Sequence, residues 1–279
     1  MKHTKKLLSL LLVLCLILSL SCTAFAADEA KPLTGKTVIL HSNDVHGAID
    51  LYAAMASLKA DYEAQGAEVI LADAGDYSQG TVYVSVHKGA DAVTMMNATG
   101  YDVATIGNHE FDYGLDNMAR IFRMAKFPVV CANYDFTGTP VEGIVKPYVI
   151  LKRNGLRIGV LGICPQMLGL VDENKCVGVK YLDPVETADR IAKKLKKEEK
   201  CDVVICLSHL GWGLAQNVDD EDMIARNHDI DIVLGGHSHS YFTTLKYAKN
   251  ADGRMIPDDQ NGKHAIFVGK IMMKLDKAK

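Results

Sequence analysis

The sequence has 279 residues, of which 23% are charged and 48% hydrophobic, with a formal net charge of −3; this is enough for one large α/β domain with a substantial core. Neither sign of charge is in sufficient excess to point to nucleic-acid or membrane-surface binding. Seven cysteines without dense spacing exclude a disulfide scaffold.

The first residues, MKHTKK, are basic and lead into an apolar run from Leu7 to Leu20, followed by Ala24-Phe25-Ala26. That is the layout of a secretory signal peptide, and the run falls short of the roughly 20 residues needed to cross a bilayer. Cleavage after Ala26 is expected, giving a secreted, periplasmic or cell-surface protein. Lipid attachment at Cys22 fits poorly, because Ser19, Leu20 and Ser21 precede it. Removing Lys2, Lys5 and Lys6 leaves 28 basic against 34 acidic residues, a net charge of −6 on residues 27–279. Of the cysteines, Cys131, Cys164, Cys176, Cys201 and Cys206 remain, and none lies in a histidine-bearing segment. A thiolate metal site is therefore not expected.

From Thr37 onward, β-branched runs alternate with segments of helical period, the pattern of an α/β fold with parallel strands. Strands are predicted at Val38 to Leu40, Val69 to Ala72, Val103 to Ile106, Val129 to Ala132, Arg157 to Ile163, Val203 to Leu207 and Ile232 to Leu234. Helices are predicted at Leu51 to Gln65, Ala90 to Thr99, Leu115 to Ala125, Val185 to Glu199 and Glu221 to Arg226. The basic run from Arg190 to Lys200 follows Asp183-Pro184-Val185-Glu186, an N-cap, a proline at the first helical position and an acid at the third. It reads as a solvated helix face. Ala265 to Leu275 reads as two edge strands closing the same domain.

Five of the predicted strands run straight into metal-ligand residue types, usually beside glycine, which neither propensity nor packing requires. Leu40 leads to His41-Ser42-Asn43-Asp44-Val45-His46-Gly47, Ala72 to Asp73-Ala74-Gly75-Asp76, and Ile106 to Gly107-Asn108-His109-Glu110-Phe111-Asp112. Leu207 leads to Ser208-His209, and Leu234 to Gly235-Gly236-His237-Ser238-His239. In open α/β sheets ligands bind beyond the carboxyl ends of the strands, so the five loops are expected to converge. Asp44 and His46 are two apart, as are His237 and His239; on a continuing strand each pair would point one way. The set offers carboxylate, imidazole and amide ligands for two divalent cations, which clamp a phosphoryl group and acidify a water.

A lone histidine at a strand end is more often a turn or core residue. Here His46, His109, His209, His237 and His239 all directly follow apolar strands, and together they favour a site. His41, His87, His228 and His264 are read as turn or core residues, and Asp73 as a strand-end residue.

This succession, HSNDVHG, AGDYSQG, GNHEFD, LSHLG and GGHSH, resembles the metallophosphoesterase superfamily and in particular its 5′-nucleotidase branch, over Val38 to about Ser240. The resemblance implies a four-layer α/β/β/α sandwich with a dimetal centre at the strand ends. It implies one metal held by Asp44, His46, Asp76 and His239, and the other by Asp76, Asn108, His209 and His237, with Asp76 bridging. It also implies that His109 and Asp112 form a catalytic pair rather than ligands. Mn, Zn or Co is expected as the metal, because the donors are nitrogen and oxygen without thiolate. The expected activity is hydrolysis of phosphate monoesters, nucleotides foremost, with diesters or pyrophosphates such as cyclic nucleotides or nucleotide sugars as the alternative. A non-catalytic metal- or phosphate-binding module is the alternative of another class, disfavoured because every expected position is filled. The expected partner is thus a small phosphorylated substrate. The 5′-nucleotidases mostly carry a second, C-terminal substrate domain, which is expected to be absent from this sequence.

Overall fold

The computed structural model describes residues 31–274; the export signal expected over residues 1–26, and Leu275, lie outside the described residues. Alternation of side chains along each strand builds the layers. In β1 (Lys36–Ser42) and β2 (Glu68–Asp73), Val38, Leu40, Val69 and Leu71 point to one face, and Ile39, Ile70 and Ala72 to the other. These two strands pair in parallel from Thr37↔Glu68 to Ser42↔Asp73. A short β3 (Val103–Ala104) extends the sheet in parallel, and β12 (Gly269–Lys274) joins β1 antiparallel, giving the order β12-β1-β2-β3.

The second sheet has β6 (Leu156–Ile163), β8 (Val203–Ser208), β9 (Ile232–Leu234) and β11 (Met255–Asp259) in parallel. Its edges are antiparallel: β5 (Tyr148–Arg153) beside β6, and β10 (Lys246–Lys249) beside β11. A separate ribbon pairs β4 (Tyr134–Asp135) with β7 (Lys180–Tyr181).

Three apolar clusters fill the spaces between layers. Helices α1 (Tyr52–Ala64), α3 (Ala90–Thr99) and α4 (Leu115–Met124) cover the first sheet, packing Tyr52, Met55, Met96, Met118 and Ile121 on its outer face. Helices α5 (Pro184–Lys197) and α6 (Asp220–Ala225) cover the second, with Ile191, Leu195 and Met223 against Leu161, Val204 and Val233. Ile39, Ile70, Ile158, Val160, Ile205 and Leu207 meet between the sheets. The architecture is the four-layer α/β/β/α sandwich.

The five helices expected from periodicity form within two residues of their predicted bounds, and a short α2 (Val82–Val86) was not anticipated. The Asp183 side chain accepts from Glu186 N and Pro184 opens α5, while Lys196 and Lys197 pair with Asp231 and Asp229 at 2.6 and 3.4 Å. The basic run is thus a solvated, ion-paired face.

Three expectations need correction. Val129 to Ala132 forms no strand: Val130 N bonds Ala104 O of the first sheet and Ala132 N bonds Gly162 O of the second, so the segment crosses between sheets without a ladder in either. The predicted strand at Val103 to Ile106 keeps only Val103–Ala104, because the chain then turns toward Gly107. Among the described residues of the closing segment only one strand, β12, forms; Ala265 has φ 51°, which a strand cannot accommodate. In addition β5 was missed, although Asn154-Gly155 at φ 49° and 77° makes the two-residue hairpin loop that such a dipeptide favours.

Candidate metal centre

The carboxyl ends of β1, β2, β8 and β9, with the loop after β3, deliver the candidate residues to one place. Asp44, His46, Asp76, Asn108 and His209 are buried. The Asp76 carboxylate lies at the middle: Oδ2 is 3.0 Å from His209 Nε2 and 4.0 Å from His46 Nε2, while Oδ1 accepts from His109 N at 2.8 Å. Asp44 Oδ1 is 3.4, 3.8 and 3.9 Å from the Nε2 atoms of His239, His209 and His46. His46 Nε2 and His239 Nε2 approach to 3.1 Å. Three overlapping groups of ligand atoms result, Asp44 with His46 and His239, His46 with Asp76 and His109, and Asp44 with Asp76 and His209.

His237 is oriented by its backbone, whose N–H donates to both Asp44 oxygens at 3.2 and 3.0 Å, and its ring lies 5.2 Å from that of His209. Asn108 Oδ1 is buried and, among the described residues, has no hydrogen-bond partner; nor has His209 Nε2, despite its short approach to Asp76. Buried polar atoms without partners are costly. Carboxylate and imidazole atoms gathered within 4.8 Å of one another, with a buried, unpartnered amide oxygen on the neighbouring loop, are what a divalent cation satisfies, so the residues fit a metal pair. Gly107 makes room: a Cβ there would sit 2.1 Å from Asp76 Oδ1.

The reason for convergence differs from the one expected. The strands end at Ser42 and Leu234, and Asp44, His46, Asp76, His237 and His239 all have left-handed backbone, φ 46° to 73°. Each such non-glycine residue costs on the order of 1 kcal/mol or more and persists only where its surroundings over-determine it. Loop conformation, not strand alternation, aims these side chains.

Electrostatics prepares the site. Burial raises the Asp76 pKa, but His209 at 3.0 Å more than offsets this and holds it well below the usual carboxylate range. Burial opposes charge on His209 as well, yet the Asp76 and Asp44 carboxylates push it up to about 10. His237, desolvated and facing His209, falls to about 4 and presents a neutral ring. His109 Nδ1 bonds Asp112 Oδ2 at 2.8 Å, and that bond pushes its pKa up to about 9. Asp112 does not cap α4, whose N-cap is Gly114.

Two residues at the centre escaped sequence reasoning. Glu110, fully buried, accepts from the backbone N–H of Asp76 and Gly107 on Oε2 and of Tyr77 and Ser78 on Oε1, at 2.6 to 3.1 Å. It ties the Asp76 loop to the Asn108 loop. Its place beside His109 could have signalled this, but acids on such turns usually face solvent. His264, read as a turn residue, does lie in a turn at φ 60°, yet its N–H donates to Asp44 O and its ring lies 5.8 Å from that of His46. No apolar strand precedes it, so nothing in the sequence marked it. Asp73 accepts from Ser42 Oγ and Gly75 N, and His41 bonds Asp259 and Asn261; both stay outside the cluster. Beside His237 opens a cleft of 410 Å³ lined in part by Leu168, Leu170, Tyr181 and Asn217.

The sequence pattern of calcineurin-like phosphoesterases matches residues 37–241. A 5′-nucleotidase of Vibrio cholerae is 30% identical over 270 residues, covering 88% of this chain and 48% of that protein. Among solved structures, a 5′-nucleotidase precursor from Thermus thermophilus superposes with a TM-score of 0.78 at 25% identity, over 86% of this chain and 52% of that one. The calcineurin-like phosphoesterase YfkN of Bacillus subtilis gives 0.72 at 29% identity, over 87% and 86%. The chain spans about half, or less, of the length of the curated relatives it matches.

Proposed function

The chain belongs to the calcineurin-like phosphoesterase family, and from that premise we propose that it is an exported enzyme hydrolysing phosphate monoesters of nucleotides at a pair of divalent metal ions. The observation that carries this reading is the meeting of Asp44, His46, His209 and the neighbouring loops around the two oxygens of Asp76, with buried polar atoms left unpartnered. Asp44, His46, Asp76 and His239 would hold one ion and Asp76, Asn108, His209 and His237 the other. When bound, such a pair clamps a phosphoryl group and acidifies a water.

The chain's own groups do the rest. The His109 N–H donates to Asp76 Oδ1 and so fixes the carboxylate that the two ions would share. Asp112 accepts from Nδ1 of His109, which fixes the tautomer and leaves Nε2 to hold a proton for the leaving oxygen. The cleft beside His237 has the volume of a small-molecule site, and its apolar wall of Leu168, Leu170 and Tyr181 suits a base or sugar. Support for nucleotides comes from the names of the relatives, and support for export from the amino-terminal pattern.

The test is to strip the purified protein of metal, reload it separately with Mn²⁺, Co²⁺, Zn²⁺ and Mg²⁺, and follow phosphate release from nucleoside monophosphates, cyclic nucleotides and nucleotide sugars. Monophosphates are expected to be the best substrates with the first three metals. A strong preference for cyclic nucleotides or sugar nucleotides would instead establish the diester or pyrophosphate reading, and no hydrolysis with any metal would leave a binding module.

A further inference from the structure

Among the described residues, eleven buried side-chain nitrogen or oxygen atoms have no hydrogen-bond partner. Two of them, on Asn108 and His209, belong to the candidate metal centre. Five others lie in one place: both oxygens of Asp220, both of Asp258, and Nε2 of Gln260. Asp220 opens α6, Asp258 lies on β11 opposite Val233, and Gln260 follows β11. With Ser208 at the end of β8, all four residues are completely buried.

The groups face one another. A Cβ on Gly235 would come within 2.8 Å of Asp220 Oδ2 and 2.9 Å of Gln260 Nε2, so both look onto that bare backbone. Burial raises the pKa of Asp220 to about 7 and, with Asp220 beside it, that of Asp258 well above the carboxylate range. Cys206, close by, is kept a thiol by its burial.

Positive charge must compensate such a pair, as a proton or as a cation. A shared proton joins one oxygen of each carboxyl and the Ser208 hydroxyl faces Asp220, which leaves the second oxygen of Asp258 and the Gln260 amide as they are. A cation reaches all of them. Amide oxygen and nitrogen are interchangeable by a flip. Turning Gln260 brings Oε1 into the pocket and lets Nε2 donate to Ser238 Oγ, which now lies 2.9 Å from Oε1 and 3.0 Å from Ser240 Oγ. The donors are then four carboxylate oxygens, one amide oxygen and the Ser208 hydroxyl. An all-oxygen set of that size and charge suits Ca²⁺ and not the metals preferred by imidazole.

We propose that Asp220, Asp258, Gln260 and Ser208 form a binding site for a hard divalent cation of the Ca²⁺ type, separate from the dimetal centre. The site lies directly behind it: Ser208 precedes His209, and Ser238 follows His237. Its occupancy therefore fastens the segments that present both histidines.

The test uses the full chain loaded with two equivalents of Zn²⁺. Ca²⁺ is titrated while thermal unfolding is followed, and Tb³⁺ is then used as a luminescent probe. Trp212 is the only tryptophan, and its backbone N–H bonds Ser238 Oγ, so it is placed to sensitise Tb³⁺ in this pocket. At a hundredfold excess over Kd, Ca²⁺ is expected to raise Tm by about 5 to 10 °C. Tb³⁺ emission excited through Trp212 should appear and be competed away by Ca²⁺, and Asp258→Asn should lose both responses. Should that variant fail to fold, calcium content of the wild-type protein after gel filtration decides, with about one ion per chain expected from the single site. A Tm indifferent to Ca²⁺, or responses unchanged in Asp258→Asn, would overturn the proposal and leave a shared proton in its place. None of these readouts depends on hydrolysis.

Discussion

At the residue scale, the proposed function divides the side chains of the centre between holding metal and moving a proton. Asp76 sits within 4.0 Å of two imidazoles and is hydrogen-bonded by His109 N. Asp76→Ala is therefore expected to lose metal together with rate. His109→Ala should retain metal and lose roughly 10² to 10⁴ in turnover, the usual worth of a positioned acid. Elemental analysis of both variants beside their kinetics separates the roles, and loss of an ion in His109→Ala would make that residue a ligand. The proton on His109 has its own test in the metal-free protein. Its pKa is raised to about 9 by Asp112, so the stabilisation from this pair is complete below the unfolded value of about 6.5 and is lost as pH rises through 9. Imidazole titration by NMR should find His109 protonated at pH 8 in the wild type and returned toward its ordinary value in Asp112→Asn; ordinary titration in both would refute the pairing. These histidines were legible because each followed an apolar strand. Glu110 and His264 were not, because their roles depend on backbone groups distant in sequence.

At the scale of elements, the strands that lead into the site were readable as apolar runs and the helices as periodic segments with caps, as Asp183 and Pro184 show for α5, whereas β4, β5, β7, β10 and β11 were not. What periodicity does not carry is where a ladder fails. Val129 to Ala132 has strand composition, but its donors go to β3 on one side and β6 on the other. The loops that hold the site are likewise set by long-range contacts, and Glu110 is the clearest of these. Its two oxygens accept four backbone N–H groups from the loops of Asp76 and Asn108. Glu110→Gln turns one acceptor into a donor facing donors. A loss of about 1.5 to 3 kcal/mol is expected, the scale of hydrogen bonds to a charged group, together with weaker metal binding. Urea unfolding and metal titration measure both, and a variant with unchanged stability and affinity would show that the loops hold themselves.

At the scale of the molecule, two sheets share an apolar interior around Ile39, Ile70, Ile158, Ile205 and Leu207, and the site forms where their strands end together. Metal bound at this junction, to the folded state alone, would couple occupancy to stability. Chelation is expected to lower Tm by several degrees as well as abolish hydrolysis, and Mn²⁺ or Zn²⁺ to restore both. Because His209 must give up its proton to bind, affinity should fall as pH is lowered, which titration at pH 6 and pH 8 would reveal. A chelator without effect on Tm would count against a resident metal pair. The sequence by itself determined the α/β class, the succession along the chain of the strands that lead into the site and the identity of the residues at their ends, because apolar periodicity and residue type are local properties. Only the tertiary structure decided how those residues meet. Left-handed loops at Asp44, His46, Asp76, His237 and His239, the Glu110 clamp, the approach of His264 and the buried pair Asp220 and Asp258 all arise from contacts between segments up to some two hundred positions apart, and no local pattern encodes which distant backbone will over-determine a strained turn.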